Sequence, residues 1–234
     1  MKTFHRVIAA MLIVCVSQAY AEERLPSQKE YEPKDGKGRV VVVISGQSGP
    51  NNYMSFARDI AAQGYYTVLV DANDFWKNDA SVDEHRQKGD LLKGVITRAQ
   101  QSPRALPGKV AVIGFSKGGG PSLAYAARMP ESVAAIVTFY PMTYYIKDPD
   151  SFVSKMQVPT LLLAAVRDTY LKCCLVEKAR KLGAAAKPSQ GKSILEVVEY
   201  PDADHGFNLN GSAWRKDDAA DALSRALSHV RQYL

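Results

Sequence analysis

Six short runs of apolar residues divide the chain, and the segments between them carry apolar residues mostly at helical spacing. The runs are rich in valine, leucine, isoleucine and alanine, which is typical of strands covered on both faces. The predicted strands are residues 39–44, 65–70, 109–113, 133–138, 160–165 and 193–199. The predicted helices are residues 53–63, 81–100, 116–129, 171–182 and 213–233, the last with an inner face of Ala219, Leu223, Ala226, Leu227 and Val230. This alternation predicts an α/β fold with a doubly wound, mostly parallel sheet, compact and without a large lid domain.

The N-terminus has the pattern of a targeting segment. Lys2 and Arg6 precede an apolar stretch at residues 7–16, and Ala19-Tyr20-Ala21 places small residues where a signal peptidase reads them. We therefore predict a signal peptide over residues 1–21 and export of the mature chain, which would be periplasmic or secreted.

The rest of the chain divides into two parts. Residues 22–38 are polar and predict an extended lead-in, and residues 39–234 are predicted to form one α/β domain. A lipoprotein signal at Cys15 remains an alternative, although Val14 stands where a small residue is expected. After signal removal no further stretch is long and apolar enough to predict a membrane span.

Composition narrows the classes of partner. Of the 234 residues 46% are hydrophobic and 23% are charged, which is typical of one globular domain with a sizeable core. The net charge of +6 comes without a basic run or an RNA-binding motif, so we predict no nucleic-acid partner. His85, His205 and His229 show no ligand spacing with cysteine, so we predict no metal site.

Two adjacent cysteines, Cys173 and Cys174, remain after the leader. Neighbouring cysteines rarely bridge each other, because disulfide geometry is demanding. We therefore expect them to be small helix residues, with one or both buried, and not part of a disulfide framework.

One segment suggests nucleophilic chemistry. Gly114-Phe-Ser-Lys-Gly118 follows a predicted strand and precedes a predicted helix, so it has the Gly-x-Ser-x-Gly pattern of a tight turn that presents a serine. We expect glycine at positions 114 and 118 because a Cβ atom at either position would collide with neighbouring groups. Ser116 is therefore the predicted nucleophile, although the motif alone also occurs in ordinary glycine-rich turns.

A serine hydroxyl needs a base, and the base needs an orienting acid. His205 follows the sixth predicted strand and is the predicted base, whereas His85 and His229 are expected to be solvated. Asp168 follows the fifth strand and is the preferred acid, and Asp202 and Asp204 remain as alternatives. The order serine, aspartate, histidine is the one expected of α/β-hydrolases, whose ligands lie at the carboxyl ends of the strands.

The tetrahedral intermediate of acyl transfer also needs two hydrogen-bond donors. The backbone N–H of Lys117, after the nucleophile, and that of Gln47, in the turn after the first strand, are the predicted oxyanion hole. The Lys117 side chain is expected to face solvent. A substrate pocket is predicted from aromatic residues that follow the strands, namely Tyr53, Trp76, Tyr140, Tyr144, Tyr145 and Phe207.

Together, Gly-Phe-Ser116-Lys-Gly-Gly, Asp168 after a hydrophobic strand, and Asp-His205-Gly-Phe resemble the dienelactone hydrolase family of α/β-hydrolases. The resemblance covers about residues 39–233. That family uses cysteine as nucleophile and a glutamate after the first strand, where this chain has Ser116 and Gly46. The resemblance therefore implies a serine-nucleophile variant, and the two differences argue against dienelactone as its substrate.

These features predict an exported serine hydrolase that cleaves a small-molecule carboxylic ester or lactone through an acyl-enzyme, without a cofactor. The alternatives are a non-catalytic binding protein on a hydrolase scaffold, and a thioesterase or peptidase with the same three residues.

Overall fold

The computed structural model describes residues 25–77, 81–186 and 193–234. The predicted signal peptide therefore lies outside the described residues. Within the described residues, seven strands form one sheet in the order β1-β3-β2-β4-β5-β6-β7. They are β1 Lys29–Tyr31, β2 Val40–Ile44, β3 Tyr66–Val70, β4 Val110–Phe115, β5 Val133–Phe139, β6 Thr160–Ala165 and β7 Leu195–Tyr200. Only the edge pair of β1 and β3 is antiparallel, so the predicted mostly parallel sheet is confirmed.

Six α-helices flank the sheet in the described part of the chain. They are α1 Met54–Ala62, α2 Val82–Gln100, α3 Gly119–Ala124, α4 Pro149–Val153, α5 Val176–Ala185 and α6 Lys216–Tyr233. The helix α2 begins where the sequence predicts it, because Ser81 and Glu84 form a reciprocal capping box.

The sheet has a hydrophobic core on each face. All five residues of β2 are buried, and Val42 belongs to one core while Val41 and Val43 belong to the other. The first core includes residues of α2, α3, α4 and α5, and the second includes residues of α1 and α6. Helices on both faces of the sheet therefore explain why the valine-rich strands do not alternate with polar residues.

The extended lead-in contains a strand, because Lys29–Tyr31 pairs with β3. Two other local expectations are wrong. The predicted helix 171–182 begins only at Val176, because Leu171 and Lys172 have positive φ angles that interrupt it. His229 is buried on α6 and its Nε2 lies 3.2 Å from the carbonyl oxygen of Pro159.

The inner face of α6 is also centred slightly differently from the prediction. Ala222, Ala226, Leu227 and Val230 are buried, whereas Ala219 and Leu223 are only half-buried. A search of the described residues finds no helix with the length and apolar character needed to cross a bilayer.

Candidate active site

Ser116 occupies a strained turn at the carboxyl end of β4. Its φ angle is 49°, in the left-handed region that costs a residue with a Cβ atom. A Cβ added at Gly114 would lie 2.2 Å from the Ser122 hydroxyl oxygen, and one at Gly118 would lie 2.3 Å from the Ser45 carbonyl oxygen. Both predicted glycine roles are therefore confirmed, and the turn holds the serine above the strand ends.

Three predicted residues from three strand ends meet at this turn. The Nε2 atom of His205 lies 2.9 Å from the Oγ atom of Ser116, and its Nδ1 atom lies 2.6 Å from the Oδ2 atom of Asp168. Ser116 and Asp168 are only 4% and 2% exposed. Because β4, β6 and β7 are parallel, their carboxyl ends share one edge of the sheet, which brings distant parts of the chain together.

Two tyrosine rings pack against the imidazole of His205. The ring of Tyr170 is stacked on it, with centroids 4.5 Å apart and planes 18° apart. The ring of Tyr140 lies 4.7 Å away at a tilt, and its hydroxyl donates to Asn208 Oδ1 at 2.8 Å. Burial raises the pKa of the Tyr140 phenol well above its ordinary value, with smaller contributions from Tyr53 and Asp168, so the phenol remains a neutral donor.

The predicted oxyanion donors lie on the two turns that flank the serine. Within the described residues neither the Gln47 N–H nor the Lys117 N–H has a hydrogen-bond partner, so both remain available. Their turns are linked by Asn73, which accepts from Lys117 Nζ at 2.8 Å and donates to the Gln47 carbonyl at 3.2 Å. The Lys117 side chain is therefore a bridge between turns, and its burial lowers its pKa while Asp71 opposes this effect.

Tyr53 lies beside the nucleophile. A Cβ added at Gly46 would lie 2.2 Å from the Tyr53 hydroxyl oxygen and 3.4 Å from the Cβ atom of Ser116. The phenol thus fills the space that a larger residue at position 46 would need. Burial raises the pKa of Tyr53 to about 12, and interactions with Ser48 and Gly46 partly oppose the rise.

The other predicted pocket residues have different surroundings. Phe207 is fully buried against Tyr140, and Tyr144 is 38% exposed at the surface. Trp76 and Tyr145 stack on each other at 4.5 Å and line a cavity of about 700 Å³. None of the three residues at the serine centre lines that cavity, so it is a separate feature.

The competing Asp202 and the histidine His85 have other partners. Asp202 forms ion pairs with Arg167 and Arg215 at the surface, and it forms none with His205 in the described structure. His85 lies half-buried with its Nδ1 atom 2.7 Å from the Tyr125 hydroxyl, so the expectation of an ordinary solvated position is wrong for it as well.

For the cysteines, the expected burial is confirmed at Cys174, but the expectation that they lie in a helix and do not bridge each other is wrong. Cys173 and Cys174 form a disulfide with each other, in a turn that precedes α5. The two sulfur atoms and one ring nitrogen of His205 all lie within 4.8 Å of one another. These three side chains could hold a soft metal ion only if both cysteines were thiolates, and here the two sulfur atoms are bonded to each other.

Comparison with known proteins identifies the family. The family model described as the dienelactone hydrolase family matches residues 29–234. The chain belongs to this family. Its members are ester and lactone hydrolases, so the chain is a member of a hydrolase family with an α/β-hydrolase fold.

Individual relatives are distant in sequence. The chain is 23% identical to "Putative carboxymethylenebutenolidase" of Escherichia coli (strain K12), over 89% of this chain and 85% of that protein. It is 28% identical to "Cutinase 2" of Thermobifida cellulosilytica, over 71% and 62% of the two chains. The crystal structure of a "Putative Dienelactone Hydrolase" from Klebsiella pneumoniae superposes with a TM-score of 0.72 at 22% identity, over 88% and 92% of the chains, which supports the shared fold.

Sequence reasoning missed three features of the site. Tyr170 follows Asp168 by two residues, and its position in the same loop was the available signal. Asn73 follows the end of β3, as functional residues in this fold often follow strands. No feature of the sequence indicated the Cys173–Cys174 disulfide, and the general rarity of bridges between adjacent cysteines argued against it.

Proposed function

We propose that this chain is an exported serine hydrolase that cleaves a small carboxylic ester or lactone through Ser116, His205 and Asp168. The observation that carries the proposal is the continuous pair of hydrogen bonds from Asp168 to His205 and from His205 to Ser116. Membership of an ester and lactone hydrolase family supports the same reaction class.

The hydrogen bonds determine the route of the proton. An ionised carboxylate can only accept a hydrogen bond, so Nδ1 of His205 carries the proton that Asp168 accepts. Nε2 of the neutral ring is then free to accept the Ser116 proton as the oxygen attacks the carbonyl carbon. Asp168 stabilises the imidazolium that results, and His205 returns the proton to the leaving alcohol.

The acyl-enzyme forms and breaks through an oxyanion. The free N–H groups of Gln47 and Lys117 would donate to this oxygen, and the neutral phenol of Tyr53 stands close enough to contribute polarity. A water molecule activated by His205 then attacks the acyl carbon and releases the carboxylic acid. The reaction needs no electron transfer and, apart from the substrate and water, no group beyond this chain's own residues.

Substrate size follows from the surroundings of Ser116. Tyr53 packs beside the turn and Tyr140 packs against His205, and no large lid covers them in the part of the chain that the structure describes, which favours a short acyl group on a small ester or lactone. A thioester is chemically accessible to the same residues, so a substrate panel should include matched oxygen and sulfur esters.

The experiment that tests the proposal is covalent labelling with a fluorophosphonate, combined with turnover of p-nitrophenyl acetate. Ser116→Ala should abolish labelling and lower kcat/KM by roughly three orders of magnitude or more. Ser154→Ala, at an exposed serine after α4, is the matched control and should behave as the wild type. A wild-type protein that is neither labelled nor active would instead indicate a binding protein.

Export is a separate part of the proposal. It is supported by the pattern of residues 1–21 and by the disulfide, since disulfides persist in oxidising compartments. N-terminal sequencing of the protein recovered from a periplasmic or secreted fraction should begin at Glu22. Recovery of the chain in the cytosol with the leader intact would contradict export.

A further inference from the structure

The disulfide between Cys173 and Cys174 lies at the wall of the candidate active site. Both sulfur atoms lie within 4.8 Å of a ring nitrogen of His205. Cys174 is only 4% exposed. A bridge between adjacent residues closes a small ring, so it removes conformational freedom from the peptide unit between them.

The restrained turn leads directly to the acid. The N–H of Cys173 donates to the carbonyl of Tyr170 at 3.0 Å, and the N–H of Tyr170 donates to the Oδ1 atom of Asp168 at 2.9 Å. The other carboxylate oxygen, Oδ2, contacts His205, whose ring is stacked on Tyr170. The same short segment therefore holds the acid by a hydrogen bond and covers one face of the base with the Tyr170 ring.

The turn is also joined to the nucleophile. The carbonyl of Cys173 accepts from the N–H groups of Thr143 and Tyr144, at 2.9 and 3.1 Å. One residue before Thr143, the N–H of Met142 donates to the Ser116 carbonyl at 2.8 Å. Cys174 belongs to the same buried cluster as Met142, so the disulfide is packed against the segment that supports the serine.

The backbone between acid and disulfide is held in a costly conformation. Leu171 and Lys172 have φ angles of 48° and 52°, a left-handed conformation that is unfavourable for residues other than glycine unless their surroundings impose it. Leu171 is 70% exposed, so its own side chain provides little packing to hold this conformation. The restraint must come from neighbouring residues, and the covalent bridge follows immediately.

We propose that Cys173 and Cys174 are positioning residues of the hydrolase, and that their disulfide keeps Asp168, Tyr170 and His205 aligned with Ser116. This inference rests on the proposed function. A dithiol reductant supplies two electrons and two protons, the sulfur–sulfur bond breaks to give two thiols, and the reductant closes to its cyclic disulfide. The freed turn then relaxes and the imidazole loses its alignment.

The first test uses the mature wild-type protein before and after treatment with dithiothreitol. Thiol titration should rise from zero to two per chain, and kcat on p-nitrophenyl acetate should fall by about 10- to 100-fold, as small displacements of catalytic groups do. KM should change far less, and reoxidation should restore kcat. Unchanged kcat in protein with two titrated thiols would overturn the proposal.

The matched control is the double variant Cys173→Ser/Cys174→Ser. It should have the low kcat of the reduced wild type and should not respond to dithiothreitol. Full activity in this variant would also overturn the proposal. Thermal unfolding checks that it is folded, and if it is not, the reversible reduction of the wild type decides the question alone.

A second readout does not depend on ester turnover. The proton between His205 Nδ1 and Asp168 should give a downfield proton NMR signal that is absent in His205→Gln. Reduction should shift or broaden this signal if the disulfide aligns the ring, and an unchanged signal would argue against that role. If the protein hydrolyses no ester, the proposed function fails while this measurement still judges the disulfide.

Discussion

The Nδ1 atom of His205 lies 2.6 Å from the Oδ2 atom of Asp168, whose side chain is completely buried. The position of this carboxylate determines which ring nitrogen carries the proton, since a carboxylate accepts and cannot donate. The other ring nitrogen, which faces Ser116, is thereby kept as an acceptor. The acid thus acts through the histidine, and its charge should matter more than its shape.

Asp168→Asn should lower kcat on p-nitrophenyl acetate by about 10³- to 10⁴-fold, because an amide can stabilise the wrong tautomer and offers no charge to the imidazolium. The fold should survive, since the two side chains are nearly identical in volume. Steady-state kinetics and a thermal melt measure the two effects. Asp202→Asn is the matched control, because Asp202 lies in the same region but pairs with surface arginines, and it should retain nearly wild-type kcat. Equal losses in both variants would contradict the assignment of Asp168.

Gly46→Ala should impair turnover, because the added Cβ would lie 2.2 Å from the Tyr53 hydroxyl oxygen, next to Ser116. Either the tyrosine or the oxyanion turn must move, and we expect a loss of kcat/KM of about tenfold or more. The double variant Gly46→Ala/Tyr53→Phe removes the clashing oxygen and should recover part of the loss. Gly211→Ala, where no atom lies within 4 Å of the added Cβ, should have no effect. A fully active Gly46→Ala protein would show that this contact is unimportant.

Tyr170→Leu should reduce kcat by about tenfold, because it removes the aromatic ring stacked on His205 while it leaves the backbone N–H that binds Asp168. Tyr144→Leu is the control and removes a tyrosine that is 38% exposed. If instead Tyr144→Leu changes KM strongly, the prediction that Tyr144 belongs to the substrate pocket gains support. Kinetics over a series of acyl chain lengths distinguish these outcomes.

Much of the fold was predictable because its signals are local. Valine-rich runs mark strands buried on both faces, and Ser81 with Glu84 marks the start of α2. The meeting of Ser116, Asp168 and His205 was predictable for a different reason, since each follows a strand and parallel strands end at one edge.

The failures involve tertiary contacts that no short pattern encodes. The start of α5 is displaced because Leu171 and Lys172 take left-handed conformations, which the sequence Tyr-Leu-Lys-Cys-Cys does not disclose. The bridge between Cys173 and Cys174 depends on that turn. Trp76 and Tyr145 follow strands as substrate-pocket residues would, yet they stack on each other beside a different cavity, and only three-dimensional packing determines that choice.

His229 should make the fold less stable in mild acid. Burial lowers its pKa, and the Pro159 carbonyl and Glu196 only partly oppose this effect. The unfolded state therefore binds a proton at His229 more readily than the folded state does. The stability gained from a neutral His229 is fully present above its unfolded pKa of about 6.5. This stability is lost as the pH falls through the lower pKa of the folded state. His229→Gln keeps an N–H for the Pro159 carbonyl but cannot titrate, so its melting temperature should fall less between pH 7.5 and pH 5 than that of the wild type. Equal falls in melting temperature with pH for the two proteins, measured in a series of thermal melts, would show that this histidine does not cause the acid sensitivity.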